Sequence, residues 1–287
     1  MANEKITILL PAYNEEENIG AVIQQIKKMH PEFEVLVVDD GSTDRTGRIA
    51  AEAGAIVLSH PHNIGNGAAV KTGLRNASGN WVLLMDADGQ HDPADIERLL
   101  AEKDGYEMVV GARTRASQTF LHRNLANWLF NRIASYVTKF KVQDLTSGFR
   151  LVRTETARKF IYLLPNTFSY PSTITMAFLR CGRSVKYVPI ATRTRKGRSK
   201  INPTSDGVRF LLIITRIATL FSPLRVFLPV SLAFFLSGVL YYLYTFITEH
   251  RFSNMSALLL TSAVIIFMMG LVSEQISQLR YDRSEEE

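Results

Sequence analysis

No charged side chain occurs between Val226 and Thr248, and a run of that length can cross a hydrocarbon core of about 30 Å. Met255 to Val272 is a second uncharged run, at the short end of the spanning range. Within lipid the backbone must satisfy its own hydrogen bonds, which forces two such runs into helices. Only Thr248 to Asn254 separates them, so a tight hairpin is expected. The competing reading, a buried helical hairpin of a soluble protein, is disfavoured by two successive uncharged stretches of this size. Arg209, Arg216 and Arg225 precede the runs, and Arg280 and Arg283 follow them. The excess of positive charge on cytoplasmic flanks then places both termini in the cytoplasm. Met1 to Lys5 leads at once into a strand pattern, without an apolar signal segment, so the first domain is expected to be cytoplasmic.

The hydrophobic fraction of 46% over 287 residues hides a change near Pro223, before which the chain reads as a soluble α/β domain. The net charge of +6 suits nucleic acid, an anionic membrane or a phosphorylated ligand. Much of it sits between Arg180 and Arg225, directly before the apolar runs, which favours the membrane; nucleic acid is not an expected partner. Cys181 is the only cysteine, so an internal disulfide and a multi-thiolate zinc site are excluded. It reads as a packing residue.

The first half alternates strand and helix. Apolar runs at Ile6–Leu10, Val35–Val38, Ala55–Leu58, Trp81–Met85 and Met108–Val110 predict strands. Helices are predicted over Asn18–Met29, from a Ser42 or Thr43 N-cap through Ala53, over Gly65–Asn76, and from Asp92 as N-cap with Pro93 at the first helical position. This alternation implies a mostly parallel sheet with helices on both faces. Ligands bind such sheets beyond the carboxyl ends of the strands. Pro11–Glu15, Asp39–Asp40 and Asp86–Asp88 all fall there.

Later segments are less regular. Phe120–Phe140 predicts a long helix with Leu121, Leu125, Trp128, Leu129 and Ile133 on its apolar face and Arg123 and Arg132 interspersed. Gly207–Phe221 is similar, with Arg209 and Arg216 among apolar residues. Such helices can lie in the headgroup plane or pack in a core with exposed arginines. The interfacial reading is the stronger one for the second.

Three constellations carry chemistry. Asp86-Ala87-Asp88 ends a strand, and two carboxylates so close need a counter-charge, which a hard oxygen-binding cation supplies. Gln90 adds a neutral oxygen. Mg2+ or Mn2+ bridging a diphosphate is the natural occupant, although a solvated loop can carry the same triplet. Asp40 can accept bonds from a base or ribose, and Glu15 can do likewise or simply favour a helix start. Asn63, Gly65, Gly67 and Lys71 predict a loop and helix N-terminus near the diphosphate, without the spacing of a phosphate-binding P-loop.

Leu10-Pro-Ala-Tyr-Asn-Glu, Val38-Asp-Asp-Gly-Ser-Thr-Asp, Asn63-Ile-Gly-Asn-Gly and Asp86-Ala-Asp-Gly-Gln-His together resemble family 2 glycosyltransferases of the GT-A fold. More narrowly, the chain is similar to the polyprenyl-phosphate glycosyltransferases, the branch that includes dolichol-phosphate mannose synthase and bacterial undecaprenyl-phosphate glucosyl enzymes. The two-helix tail fits the bacterial members. By that resemblance Pro11, Tyr13, Glu15 and Asp40 hold the nucleoside, with Lys71, Asp86, Ala87 and Arg113 around the phosphates or sugar. Asp86, Asp88 and Gln90 hold the metal. Asp144-Leu-Thr-Ser-Gly-Phe-Arg150 matches the family's acceptor-side segment, and Arg195-Lys-Gly-Arg-Ser-Lys200 its mobile basic loop. Asp144, Asp88 and Arg195 are then the expected catalytic residues. Arg123, Arg132, Ser147, Arg198 and Lys200 are expected at the acceptor phosphate, and His91 behind the metal ligands.

One departure bears on the acceptor. Many family 2 enzymes carry an acidic residue in the helix after the acceptor segment, often as their base. Phe168-Ser-Tyr-Pro-Ser-Thr-Ile-Thr-Met176 has none. A hydroxyl acceptor needs a base, whereas a lipid phosphate is already an anionic nucleophile at neutral pH. Asp144 is accordingly read as an orienter, with a turn cap before Thr146-Ser147-Gly148 as the alternative. For Arg195, Arg198 and Lys200 the alternative is a cationic loop that merely meets anionic lipid.

The chain is therefore expected to comprise a GT-A catalytic domain over 1–203, a juxtamembrane amphipathic helix over 204–222 and two transmembrane helices over 226–277. Its expected reaction is metal-dependent, inverting transfer of a hexose-type sugar from a nucleoside-diphosphate sugar to a polyprenyl phosphate. The expected partners are those two substrates and the membrane, and a homo-oligomer is compatible with the sequence. Transfer to a hydroxyl in envelope polysaccharide synthesis is the alternative; two spans and no evident translocation channel count against it. A non-catalytic nucleotide-sugar-binding membrane subunit is another, opposed by the intact Asp86, Asp88 and Gln90. A dehydrogenase fails because no Gly-x-Gly-x-x-Gly follows the first strand.

Overall fold

A computed structural model describes residues 4–114, 128, 131–132, 134–167, 169–191 and 222–286. The chain divides into two compact units, Met1–Asn202 and Pro203–Glu287. The first is built on a seven-stranded sheet in the order β3-β2-β1-β4-β6-β5-β7. Its strands are β1 (Ile6–Ala12), β2 (Glu34–Asp39), β3 (Ile56–Ser59), β4 (Trp81–Leu84), β5 (Met108–Arg113), β6 (Arg150–Arg153) and β7 (Val185–Ile190). The helices of this unit are α1 (Ile19–Met29), α2 (Thr46–Glu52), α3 (Asn66–Asn76), α4 (Asp95–Leu100), α5 (Thr154–Lys159) and α6 (Tyr170–Arg180).

Every residue of β1 is buried, as expected of a central strand covered on both faces. Side chains alternate across it. Ile8 and Leu10 join Ile19, Ile23 and Ile26 of α1 in one core cluster. Leu9 points the other way, against α3, where a Cβ on Gly73 would lie 2.1 Å from Leu9 Cδ1. Helices thus cover both faces, as the alternation predicts. The winding reverses between β1 and β4, and the crevice of such a sheet lies at that switch point.

The sequence pattern does not reveal β6, which runs antiparallel between β4 and β5. Arg150 stands opposite Leu84 of β4 and Val110 of β5. An antiparallel strand begins where its neighbours end, so the start of β6 lies at the ligand edge of the sheet.

Two helix starts differ from expectation. Neither Ser42 nor Thr43 caps α2, which begins at Thr46: Asp44 accepts the Thr46 N–H at 2.9 Å, and the Ser42 hydroxyl accepts the Asn14 N–H at 3.0 Å. Likewise α4 begins at Asp95 and not beside Asp92, because the Asp92 carboxylate closes a local turn onto the Ala94 N–H at 3.0 Å. In both cases a short acidic side chain competes with the helix for backbone donors.

Of the predicted helix over 120–140, residues 134–138 are helical and Lys139 turns out with φ 58°. Ala134 and Val137 are buried, while Trp128, Arg132 and Tyr136 are exposed, so Trp128 does not sit in a core. The Arg132 guanidinium lies 5.5 Å from the Trp128 ring centre. Arg123, Arg195, Arg198 and Lys200 lie outside the described residues, as does the predicted amphipathic helix up to residue 221.

In the second unit α7 (Pro223–Glu249) and α8 (Asn254–Glu286) form an antiparallel pair. Pro223–Glu249 and Asn254–Leu279 are long and apolar enough to cross a membrane, and most of their side chains are exposed. Glycines set the close approach: a Cβ on Gly270 would lie 2.8 Å from Phe227 Cβ. The buried Ser231 hydroxyl donates to the Ala263 carbonyl at 2.8 Å. At the open end of the hairpin, the Leu224 N–H in the first turn of α7 donates to a Glu274 carboxylate oxygen at 3.1 Å. That satisfies a donor with no partner inside its own helix.

Candidate active site

Loops leaving β1 and β2 are laced together. Asn14 accepts the Thr43 N–H at 2.9 Å, and the Glu15 N–H donates to Thr46 Oγ1 at 2.8 Å. Asn14 holds φ 53°, a conformation its short side chain tolerates. Pro11 is buried in β1, while Tyr13 beyond it is 45% exposed. Glu15 accepts the Asn18 side-chain amide at 3.0 Å. Asp40 is buried and largely occupied: Oδ1 meets His60 Nδ1 at 2.7 Å and the Ile64 N–H at 3.0 Å, and Oδ2 accepts the Gly65 N–H at 2.8 Å. It therefore shapes the 60–65 loop as well as the strand end.

The predicted helix N-terminus is present at α3, where two of its first N–H groups have acceptors within the chain. Its Gly67 N–H donates to the Thr167 carbonyl at 3.1 Å, and its Ala68 N–H to Asn166 at 2.7 Å. Lys71 is drawn to the same segment, its amine 2.5 Å from Asn166 Oδ1. Gly65 and Gly67 serve close packing there: a Cβ on Gly67 would lie 2.0 Å from the Pro165 carbonyl.

Past β4, Asp86 and Asp88 are both partly exposed. Asp88 Oδ1 accepts the Gln90 N–H at 3.1 Å, a turn helped by Gly89 at φ 71°. The side chain of Ala87 belongs to the core, so only its backbone can face a ligand. His91 is buried against Phe149, ring centres 5.0 Å apart, with Nε2 3.9 Å from Asp86 Oδ2. Burial pushes this imidazole down to about 4 against the pull of Asp88, so it is neutral at pH 7. Among the described residues no three His, Cys, Asp or Glu side chains converge as a metal cage. Two carboxylates with oxygens supplied by a substrate diphosphate are nevertheless the usual setting for Mg2+, so the donor set fits a hard cation.

Arg113, at the end of β5, grips Asp144 through Nε at 2.8 Å and Nη2 at 2.9 Å. Asp144 Oδ1 also accepts the Thr146 and Ser147 N–H groups, both at 3.1 Å. One carboxylate thus both caps the turn and holds Arg113. Burial raises the Asp144 carboxyl, but the hydrogen bonds and charge of Arg113 overcome that and hold it below its ordinary value. The turn it caps comes up against Asp86: a Cβ on Gly148 would lie 2.5 Å from Asp86 Oδ2. Ser147 Oγ is buried, with no hydrogen-bond partner among the described residues.

The sequence pattern names Arg150 only as the end of the acceptor-side segment and does not show that it is 0% exposed, with the buried Tyr170 and Tyr187 around it. The available signal was an arginine inside the apolar run Phe149–Val152.

The model of Glycosyl transferase family 2 matches residues 7–160, and that of the GtrB C-terminal hairpin matches residues 222–279. An uncharacterized protein of Methanocaldococcus jannaschii is 33% identical over 66% of this chain and 82% of its own length. An undecaprenyl-phosphate 4-deoxy-4-formamido-L-arabinose transferase of Proteus mirabilis is 29% identical over 66% of this chain; the match spans 56% of that relative, just over half. Among solved structures, glucosyl-3-phosphoglycerate synthase from Mycobacterium tuberculosis, in complex with Mn2+ and uridine-diphosphate-glucose, superposes with a TM-score of 0.62. At 23% identity over 76% of this chain and 79% of that one, it speaks for the GT-A fold alone. The chain belongs to glycosyl transferase family 2 and carries the family's catalytic domain ahead of a GtrB-type hairpin.

Proposed function

We propose that the protein transfers a hexose-type sugar from a nucleoside-diphosphate sugar to a polyprenyl phosphate, with inversion. The observation that carries this reading is the meeting of two strand ends. The Asp144–Gly148 turn comes up against Asp86, so a donor phosphate at Asp86 and Asp88 and an acceptor at the turn would be neighbours. The Proteus mirabilis relative, named for an undecaprenyl-phosphate sugar transfer, supports the acceptor class.

In this reading Pro11, Tyr13, Glu15 and Asp40 frame the nucleoside, and Arg113, steadied by Asp144, faces the phosphates or sugar. A divalent cation at Asp86, Asp88 and Gln90, Mg2+ or Mn2+, would neutralise charge growing on the leaving nucleoside diphosphate. The Mn2+ and nucleotide sugar of the superposable synthase support that fit. The acceptor phosphate needs no base to attack the anomeric carbon. Accordingly Asp144 is spent on Arg113 and on two backbone N–H groups. Arg123, Arg132, Ser147, Arg195, Arg198 and Lys200 would draw and hold the acceptor phosphate. The hairpin would keep the active site at the cytoplasmic face, with both termini in the cytoplasm.

The test is turnover by the full-length protein in detergent, with undecaprenyl phosphate and a panel of UDP- and GDP-sugars. One donor should yield a lipid-linked sugar. EDTA should abolish the reaction, and Mn2+ or Mg2+ should restore it. Transfer only to a hydroxyl acceptor, or full turnover by metal-stripped enzyme, overturns the assignment.

A further inference from the structure

An arginine with no exposed surface is costly, because its charge has left water. Arg150 is in that position at the ligand edge of the sheet. Its Nη1 donates to the Pro171 carbonyl at 2.7 Å and to Thr175 Oγ1 at 2.9 Å, both in the first turns of α6. Its Nη2 donates to the carbonyl of Ser147. Ser147 is therefore held by both backbone groups: Asp144 takes its N–H, and Arg150 takes its C=O. The next residue is Gly148, which has no room for a Cβ beside Asp86. Held from two sides, the turn is pressed against one carboxylate of the candidate metal pair.

We infer that Arg150 is a positioning residue for cation binding: by fastening the Ser147 carbonyl to α6 it seats Gly148 against Asp86 and fixes the direction of that carboxylate. This rests on the cation site proposed above. A lysine keeps the charge but cannot reach three oxygens with one planar fork. Arg150→Lys should loosen the turn, and the consequence should be read at the metal.

The experiment is Mn2+ titration of the full-length protein by calorimetry, with UDP or GDP present, whichever the wild type binds. Arg150→Lys should weaken Mn2+ binding roughly tenfold, and leave nucleotide binding without metal unchanged. Gly148→Ala disturbs the same contact directly, so the double variant should be no worse than the worse single one, the mark of residues acting through one element. Thr175→Val, which removes one of the three acceptors, should act in the same direction more weakly, and carries the test if Arg150→Lys does not fold. Unchanged Mn2+ affinity in the folded variants, a multiplicative double variant, or equal loss of metal-free nucleotide binding overturns the role of Arg150. A wild type that binds nucleotide but no Mn2+ overturns instead the cation site itself.

Discussion

Arg113 and Asp144, 31 positions apart, face each other as a two-pronged pair, with Nε and Nη2 of one on the two carboxylate oxygens of the other. Both side chains are largely buried, 18% and 5% exposed. The pair joins the end of β5 to the turn that meets Asp86, so one ion pair ties that strand to the segment ahead of β6.

This coupling predicts a pH signature. The Asp144 carboxyl is held below its ordinary value in the fold, so its stabilising contribution is complete above the unfolded value, about 3.9. It is lost as pH falls through the depressed folded value. Asp144→Asn removes the carboxylate that faces the buried Arg113 and leaves it Thr146 Oγ1 and an amide oxygen, which should destabilise the catalytic unit by about 3 kcal/mol at pH 7. Thermal melts at pH 7 and pH 3 should differ less for the variant than for the wild type. An unaltered acid limb would refute the pair's role.

A second prediction separates charge from shape at Asp88. Its Oδ1 accepts the Gln90 N–H, a bond that an asparagine can also accept. Asp88→Asn should keep the turn and the melting temperature while lowering turnover by on the order of a hundredfold or more, because charge on the leaving group goes unneutralised. Turnover within a factor of a few of wild type would remove Asp88 from the cation site.

Hairpin topology is testable by labelling. In a Cys181→Ser background, a cysteine at His250, between α7 and α8, should react with an impermeant maleimide outside intact cells, and one at Ala2 should react only after lysis. The reverse pattern would turn the catalytic unit to the other side of the membrane.

Much of this protein is written in local pattern. Apolar runs alternating with helical spacing predict β1 to β5 but not β7, and strand direction alone carries Pro11–Glu15, Asp40 and Asp86–Asp88 to one edge. The uncharged runs likewise predict α7 and α8, because lipid leaves a long apolar segment no other partner for its backbone. What the sequence by itself could not decide depends on groups far apart in the chain. Arg150–Arg153, a four-residue stretch with arginine at both ends, is a strand only because β4 and β5 flank it. The N-terminus of α3 is legible in one dimension, but that Asn166 and Thr167, far along the chain, take the N–H groups of Ala68 and Gly67 is not. Asp144 reads in one dimension as a turn former or a site residue; that its carboxylate caps the turn and also meets Arg113, 31 positions away, only the fold shows. Local periodicity reports which face of an element is buried. Which donor meets which acceptor across the fold is set by packing, and packing exists only in the tertiary structure.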